Sequence, residues 1–355
     1  MNAPDLTRTT APAVDADLSA MMDAVFADYQ AGSAERVPGR RATLDRALWR
    51  RLDDLGLVRL TGAEASGGSG AGWREAAELL SCAVRHGVRV PLAEHDLLAN
   101  WLWEAVTGDS GDDCVRTVCV LPRDGHAEVP VPWAGEVDRV VVVWPSGPEY
   151  RVADLATTAL AIGPKTNLIG EPRDVVVVDP TPHNGHPVSP ALVTQLKQKA
   201  ALVRAVQVCA ALDRAVQMSV EHVSTRLQFG RPLAKFQAIQ NLVSDAAAQA
   251  ALARSATEAA LNMAIETDWK SPYLAFQIAV ARSCAGHAAS VVTRNSHQVH
   301  GAIGTTHEHR LPEFTRAALA WRSEFGSVHF WDGQVAAAAM AAGQKGLWEL
   351  IAAGS

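Results

Sequence analysis

The sequence predicts a mainly α fold with a small β-domain set between two helical parts. Three observations carry this. Apolar residues recur at steps of three and four over long stretches on either side of the middle of the chain, the spacing that gives a helix one buried stripe. Short β-branched runs broken by proline and glycine are confined to residues 114–188. After residue 189 the helical period returns in four or five long segments with short connections, which implies an antiparallel bundle.

In chain order, residues 1–113 form the first helical part. Leu44, Leu48, Leu52, Leu55 and Leu57 recur near helical spacing, and Gly56 stops that helix. Residues 63–70 are a glycine-rich loop without the G-x-x-x-x-G-K of a P-loop, and an amphipathic helix follows from Trp73 to Val84. Within residues 114–188, the runs Val115–Leu121, Arg139–Val143 and Val175–Val178 are expected strands. Residues 189–355 form the bundle. Leu202, Val206, Cys209, Leu212, Val216, Val220 and Val223 make one apolar stripe, and further helices are expected over 235–266, 272–299, 308–322 and 329–352. The alanine-rich run from Val335 to Ala342 is too short to span a membrane and is expected as a packed helix.

Composition narrows the function. The 355 residues are 48% hydrophobic and 20% charged, with a net charge of −6, an ordinary globular balance that offers no general attraction to nucleic acid. The N-terminal segment, with Asp5, Arg8 and Asp15, is polar and has no signal-peptide core. Cys82, Cys114, Cys119, Cys209 and Cys284 are scattered, odd in number and free of C-x-x-C pairs, which fits a reducing cytoplasm. No G-x-S-x-G elbow and no G-x-G-x-x-G after a strand is present, so neither a hydrolase triad nor a nicotinamide site is supported. His297, His300, His307 and His309 have H-x-x-H and H-x-H spacings, but no cysteine is near them, and loop or helix-end positions account for them better than a metal does.

Two segments carry the chemistry. In the first, Arg226 to Gln237, a helix breaks at Gly230 and Pro232 and restarts. A cation beside a tight turn suits a phosphate, Phe229 offers a flat face, and Gln237 offers an amide that both donates and accepts; the same pattern also suits a plain interhelical loop. In the second, Gln298 to Gly304, glycines let backbone amides approach a pyrophosphate, and Arg316 follows. In spacing and order these segments resemble the flavin-binding signatures of the acyl-CoA dehydrogenase family. The helices, β-domain, bundle layout resembles the fold of that family, although its middle domain is usually longer. The resemblance implies FAD, an acyl-CoA substrate, a dimer-based tetramer and an electron-transfer flavoprotein as acceptor. It implies that Arg226, Phe229, Gln237, Gln298, Gly301 and Ala302 hold the adenosine and pyrophosphate end of FAD across a subunit interface. Ala302 stands where the family has its second glycine, and Ala63 where its N-terminal loop has proline.

That resemblance also implies a catalytic carboxylate, which removes the α-proton of the thioester while the β-hydride passes to the flavin. The commoner position for it falls on Phe325, and the acid, Glu324, stands one residue early. On a helix end one residue turns a side chain by about 100°. Glu324 is thus the internal base candidate, its other reading being a polar glutamate beside the following helix. The second position falls on Ala200, between Lys197 and Lys199, where no acid stands. Arg204 and Asp213 face either substrate or solvent. The family covers its flavin ring with a Ser/Thr-bearing loop; here residues 120–126 lead into Val131–Gly135 without it, and Trp133 packs either beside a flavin or in the domain core. Clasping segments kept and catalytic groups altered are what one half of a heteromeric acyl-CoA dehydrogenase would carry, similar to the two-subunit enzymes of actinobacterial steroid side-chain breakdown. A self-sufficient homotetramer using Glu324 and a non-enzymatic scaffold are the alternatives.

Overall fold

A computed structural model describes residues 14–32, 40–108, 112–123, 128–180 and 183–352. The N-terminal helices are α1 (Ala16–Gly32), α2 (Arg46–Asp54), α3 (Trp73–Arg85) and α4 (Trp101–Thr107), the last continuing directly from a π-helix over Ala93–Asn100. Asp45 starts α2 by accepting from the amides of Ala47 and Leu48, and Gly56 follows it at φ 71°. Leu44, Leu48, Leu52 and Leu57 are buried as the periodicity required, whereas Leu55 turns outward. The π-helix is buried at every residue, its polar Glu94, His95, Asp96 and Asn100 included, and no apolar period announces it.

Seven short strands follow: β1 (Arg116–Val120), β2 (Glu128–Pro132), β3 (Arg139–Ser146), β4 (Glu149–Ala156), β5 (Ala161–Gly163), β6 (Arg173–Val177) and β7 (His186–Val188). One sheet runs β1-β3-β4-β7 and a second β2-β6-β5. Among the described residues only β1 and β3 pair in parallel, in the register Val118 to Val141. Val140, Val142 and Val176 fill the space between the two sheets. Trp133, at φ 61°, is almost wholly buried among Val115, Val137 and Val203, so it takes the core alternative.

The bundle consists of α5 (Pro190–Thr225), α6 (Gln237–Glu266), α7 (Leu274–His300), α8 (Leu311–Trp321) and α9 (Val328–Ala352). Ser189 caps α5 by accepting from the Leu192 amide, and Pro190 occupies its first turn. The expected α5 stripe is buried at Leu202, Val206, Cys209, Leu212 and Val223, half-buried at Val216 and exposed at Val220. Small residues let α5, α6 and α7 approach closely: Ala211, Ala253, Ala285 and Ala289 are fully buried in one cluster. The alanine-rich run is helical but not packed as expected. Ala336, Ala337 and Met340 face outward, and α9 kinks at Gly343, φ 62°. Among the described residues no helix is long and apolar enough to cross a membrane.

Candidate functional site

Arg226 terminates α5, and the chain turns at once into a hairpin of β8 (Leu227–Gln228) and β9 (Arg231–Pro232). Phe229 and Gly230, at φ 52° and 77°, form its tip, the pair of positive angles that a tight two-residue hairpin turn requires. Only Gly takes such an angle freely, so Phe229 is held there by the turn. Its ring is 90% exposed, an arrangement that leaves a large apolar face in water. The Arg231 guanidinium lies 4.2 Å from the Phe236 ring centre. Arg226 is exposed and makes no ion pair with the described residues. Gln237, also exposed, opens α6 and spends one donor on Asn241, at 3.0 Å.

The second segment closes α7. Gln298 sits on the last turn, and Gly301, at φ 64° and ψ −146°, sends the chain into a short 3₁₀ turn through Thr305. A β-carbon at Gly301 would meet nothing within 4 Å, so that glycine serves the backbone angle and not a close contact. Around this turn lies an open cleft of about 540 Å³ lined by Thr293, Arg294, His297, Gln298, Gly301 and Ala302, with Thr305 at its rim. No acid lines it. The Thr293 hydroxyl and His297 Nδ1 are buried there without a hydrogen-bond partner. Helix carbonyls at the end of α7 bear partial negative charge, so an anion in this cleft needs a cation, and Arg294 stands one turn back from Gln298 to supply it.

Three imidazoles link the two segments. His222, at the end of α5, stacks on His300 at 4.4 Å and 25°, and His309 meets His300 edge-on at 4.8 Å. His300 Nδ1 donates to the Ser296 carbonyl at 2.7 Å, which leaves a bare, buried Nε2. Burial, with His222 and His309 adding to it, pushes the His300 pKa down to about 4. Burial likewise lowers His222, helped by His309 and Arg226. Among the described residues no group of three or more His, Cys, Asp or Glu is arranged to hold a metal ion.

Glu324 lies elsewhere, on the turn between α8 and α9, in a network the sequence did not disclose. Its Oε1 accepts from Arg173 Nε at 2.7 Å, and its Oε2 from Arg204 Nε at 2.7 Å and Arg173 Nη2 at 2.9 Å. Arg204 reaches on to Glu94 of the π-helix at 2.6 Å, and Arg173 to Glu171 at 3.0 Å, while Trp321 Nε1 also donates to Glu171. Beneath, Arg282 donates to the carbonyls of Arg322, Glu324 and Gly326 and so fixes the turn, in which Phe325 and Gly326 have φ of 54° and 124°. Burial pushes the Glu324 carboxyl up, but Arg173 and Arg204 together pull harder, and its pKa falls to about 2. A carboxylate held this way is a poor proton acceptor near neutrality, which works against the base expectation for Glu324. Arg204 therefore faces a buried ion pair, not substrate, and Asp213 pairs on the bundle surface with Arg254 at 3.1 Å. Ala200 is buried on α5. Arg316 donates to the Leu168 carbonyl at 2.6 Å.

Among the described residues, those around the end of α7 fit the nucleotide end of FAD. The cleft offers the Arg294 guanidinium and the Gln298 amide, and no acid among the described residues lines it. In the β-domain, Val131, Trp133 and Ala134 are buried and carry no hydroxyl toward a ring; residues 124–126 of the expected covering loop lie outside the described residues.

Residues 191–340 match the family model for the acyl-CoA dehydrogenase C-terminal domain. The bundle over residues 191–340 is thus similar to the C-terminal domain of acyl-CoA dehydrogenases. The chain is 25% identical over 281 residues to the acyl-CoA dehydrogenase IpdE2 of Mycobacterium tuberculosis, covering 77% of this chain and 80% of that protein. Its fold is similar to that of the ChsE4-ChsE5 complex from Mycobacterium tuberculosis, with a TM-score of 0.73, 21% identity, and coverage of 93% of this chain and 97% of that one. It is also similar to a glutaryl-CoA dehydrogenase from Mycobacterium smegmatis in complex with FADH2, with a TM-score of 0.76, 12% identity, and coverage of 92% and 95%. The expected fold, mainly α with a small β-domain between helical parts, is the fold found.

Proposed function

We propose that this chain is the clasping subunit of a two-chain acyl-CoA dehydrogenase. Arg226, Phe229 and Gln237 of the hairpin, with Gln298, Gly301 and Ala302 of the α7 cleft, hold the adenosine and pyrophosphate end of FAD where subunits meet. The partner chain supplies the base and the ring contacts. Bound FAD supplies the hydride acceptor for α,β-desaturation of an acyl-CoA thioester, and an electron-transfer flavoprotein takes the electrons onward. The observation that carries the reading is a contrast within one molecule. Arg226 and Phe229 stand exposed, the arginine without an ion pair among the described residues, while Glu324 is locked between two guanidiniums. The similarity to the ChsE4-ChsE5 complex, itself an assembly of two named chains, supports the two-chain form. In this division of labour Arg226 and Arg294 neutralise phosphate charge, Phe229 excludes water from the nucleotide, and Glu324 anchors a turn.

Binding of ADP to the assembled protein by titration calorimetry tests the clasp. Arg294→Gln and Arg226→Gln should each weaken ADP by about 10- to 100-fold, the worth of one charge-assisted hydrogen bond, and should flatten the salt dependence. An assembly that binds ADP equally well in both variants would contradict the assignment.

A further inference from the structure

Lys199, on α5, is buried to 2% exposure and makes no ion pair with the described residues. Its ammonium instead faces three indoles: Trp73, Trp101 and Trp269, whose ring centres lie 4.6, 4.3 and 4.3 Å from Nζ. The rings come from three separate places. Trp73 opens α3 directly after the glycine-rich loop, Trp101 opens α4 after the π-helix, and Trp269 sits in the turn between α6 and α7. Trp73 and Trp269 also meet each other edge-to-face at 4.7 Å. All three are half-buried, so together they roof the lysine.

The turn that carries Trp269 is strained. Asp268 and Trp269 are consecutive non-glycine residues at φ 48° and 61°. Left-handed backbone of this kind persists only where the surroundings over-determine it. The Trp269 N–H donates to the Ala264 carbonyl at 2.8 Å, an ordinary helix cap. The ring packs both into the cage and against the apolar cluster that holds Ala201, Ala264 and Leu274. Other charged groups face the site only at a distance or already paired. Asp96 on the π-helix accepts from the Thr61 amide and hydroxyl at 3.0 Å, with Arg59 nearby, and Asp268 pairs with Lys270 at 2.6 Å. Burial pushes the Lys199 amine down to about 7, with Asp96 and Asp268 pulling it back up, and the electron-rich indole faces favour the cation in the same sense as those carboxylates.

We propose that Trp73, Trp101 and Trp269 form an aromatic cation cage whose built-in ligand is the Lys199 ammonium, and that this contact is a latch closing the α6–α7 turn over the first bundle helix. Release of the ammonium lets the strained turn relax and swings Trp269 off the junction between the N-terminal helices and the bundle. The latch is independent of the nucleotide clasp, since it shares no residue with it.

Hydrogen exchange of the full chain near pH 6, where the amine is protonated, tests this. Lys199→Met keeps length and removes charge; amides over 266–272 should exchange about tenfold faster, the worth of one buried cation–π contact. Lys199→Arg, which keeps a cation, should stay near wild type. Exchange over 266–272 that is unchanged in Lys199→Met, or as fast in Lys199→Arg as in Lys199→Met, overturns the latch. Should Lys199→Met fail to fold, Trp101→Leu reads it from the opposite wall. That variant removes the face contributed by α4, and the same amides must then exchange faster; an unchanged turn overturns the proposal equally.

Discussion

Glu324→Gln separates an anchor from a base. The substitution keeps the side-chain shape and removes the negative charge that Arg173 and Arg204 share at 2.7 Å each. Two buried guanidiniums then face a neutral amide, and one of its ends presents a donor to a donor. Removing one partner of a buried ion pair costs about 3–5 kcal/mol. The depressed pKa of the carboxyl, which has the same two arginines as its cause, leads to a similar figure. Its pKa falls from 4.5 to about 2 on folding, and at 1.36 kcal/mol per unit that is about 3 kcal/mol of stability. The sign follows from the direction: a depressed carboxyl contributes fully above its unfolded value near 4.5 and loses that contribution as pH falls toward 2. The assay is urea unfolding at neutral pH followed by tryptophan fluorescence, since Trp321 bonds Glu171 inside the same network. The account expects the variant's midpoint to fall by an amount equivalent to about 3 kcal/mol, and the gap between variant and wild type to close in acid. A variant that unfolds within about 1 kcal/mol of wild type, yet has lost turnover in the assembled enzyme, would refute the anchor and restore the base.

Two further outcomes follow from the hairpin and the imidazole stack. Phe229→Ala removes a ring that touches little of its own chain, so thermal stability of the isolated chain should change by no more than about 0.5 kcal/mol, while nucleotide affinity of the assembly falls at least tenfold by calorimetry. The histidines set an acid limit. Burial and its neighbours hold His300 near 4 in the folded state against 6.5 ordinarily, so its contribution is intact above 6.5 and is lost as pH falls toward 4; thermal melts across that window should show the loss, and His300→Phe should flatten it.

Much of the architecture was written in local pattern. The three-and-four spacing of α5, the β-branched runs near β1, β3 and β6, and the Gly230–Pro232 break that became a hairpin are all short-range signals with direct backbone consequences. The two segments proposed as the clasp could be singled out for the same reason, because each is one continuous stretch with its turn. What stayed hidden depends on distant pairing. Glu324 meets Arg173 and Arg204 across separations of 151 and 120 residues, and nothing near Glu324 in sequence reveals that either arginine will reach it. Glu94 enters through a π-helix, which has no simple apolar period to detect. Lys199 was visible only as a charge on a helix. Its meaning comes from three tryptophans that the fold alone brings together. The exposure of Val220 and of the α9 alanine run departed from expectation because both lie where the bundle presents surface.

The measurement that bears most directly on the two-chain clasp is the composition and flavin content of the protein purified from its own cells, set beside the same chain expressed alone. The account predicts a yellow assembly containing a second, different acyl-CoA dehydrogenase-type chain, and a colourless, inactive product from this chain by itself. A homo-oligomer of this chain that carries FAD and desaturates an acyl-CoA thioester would contradict it.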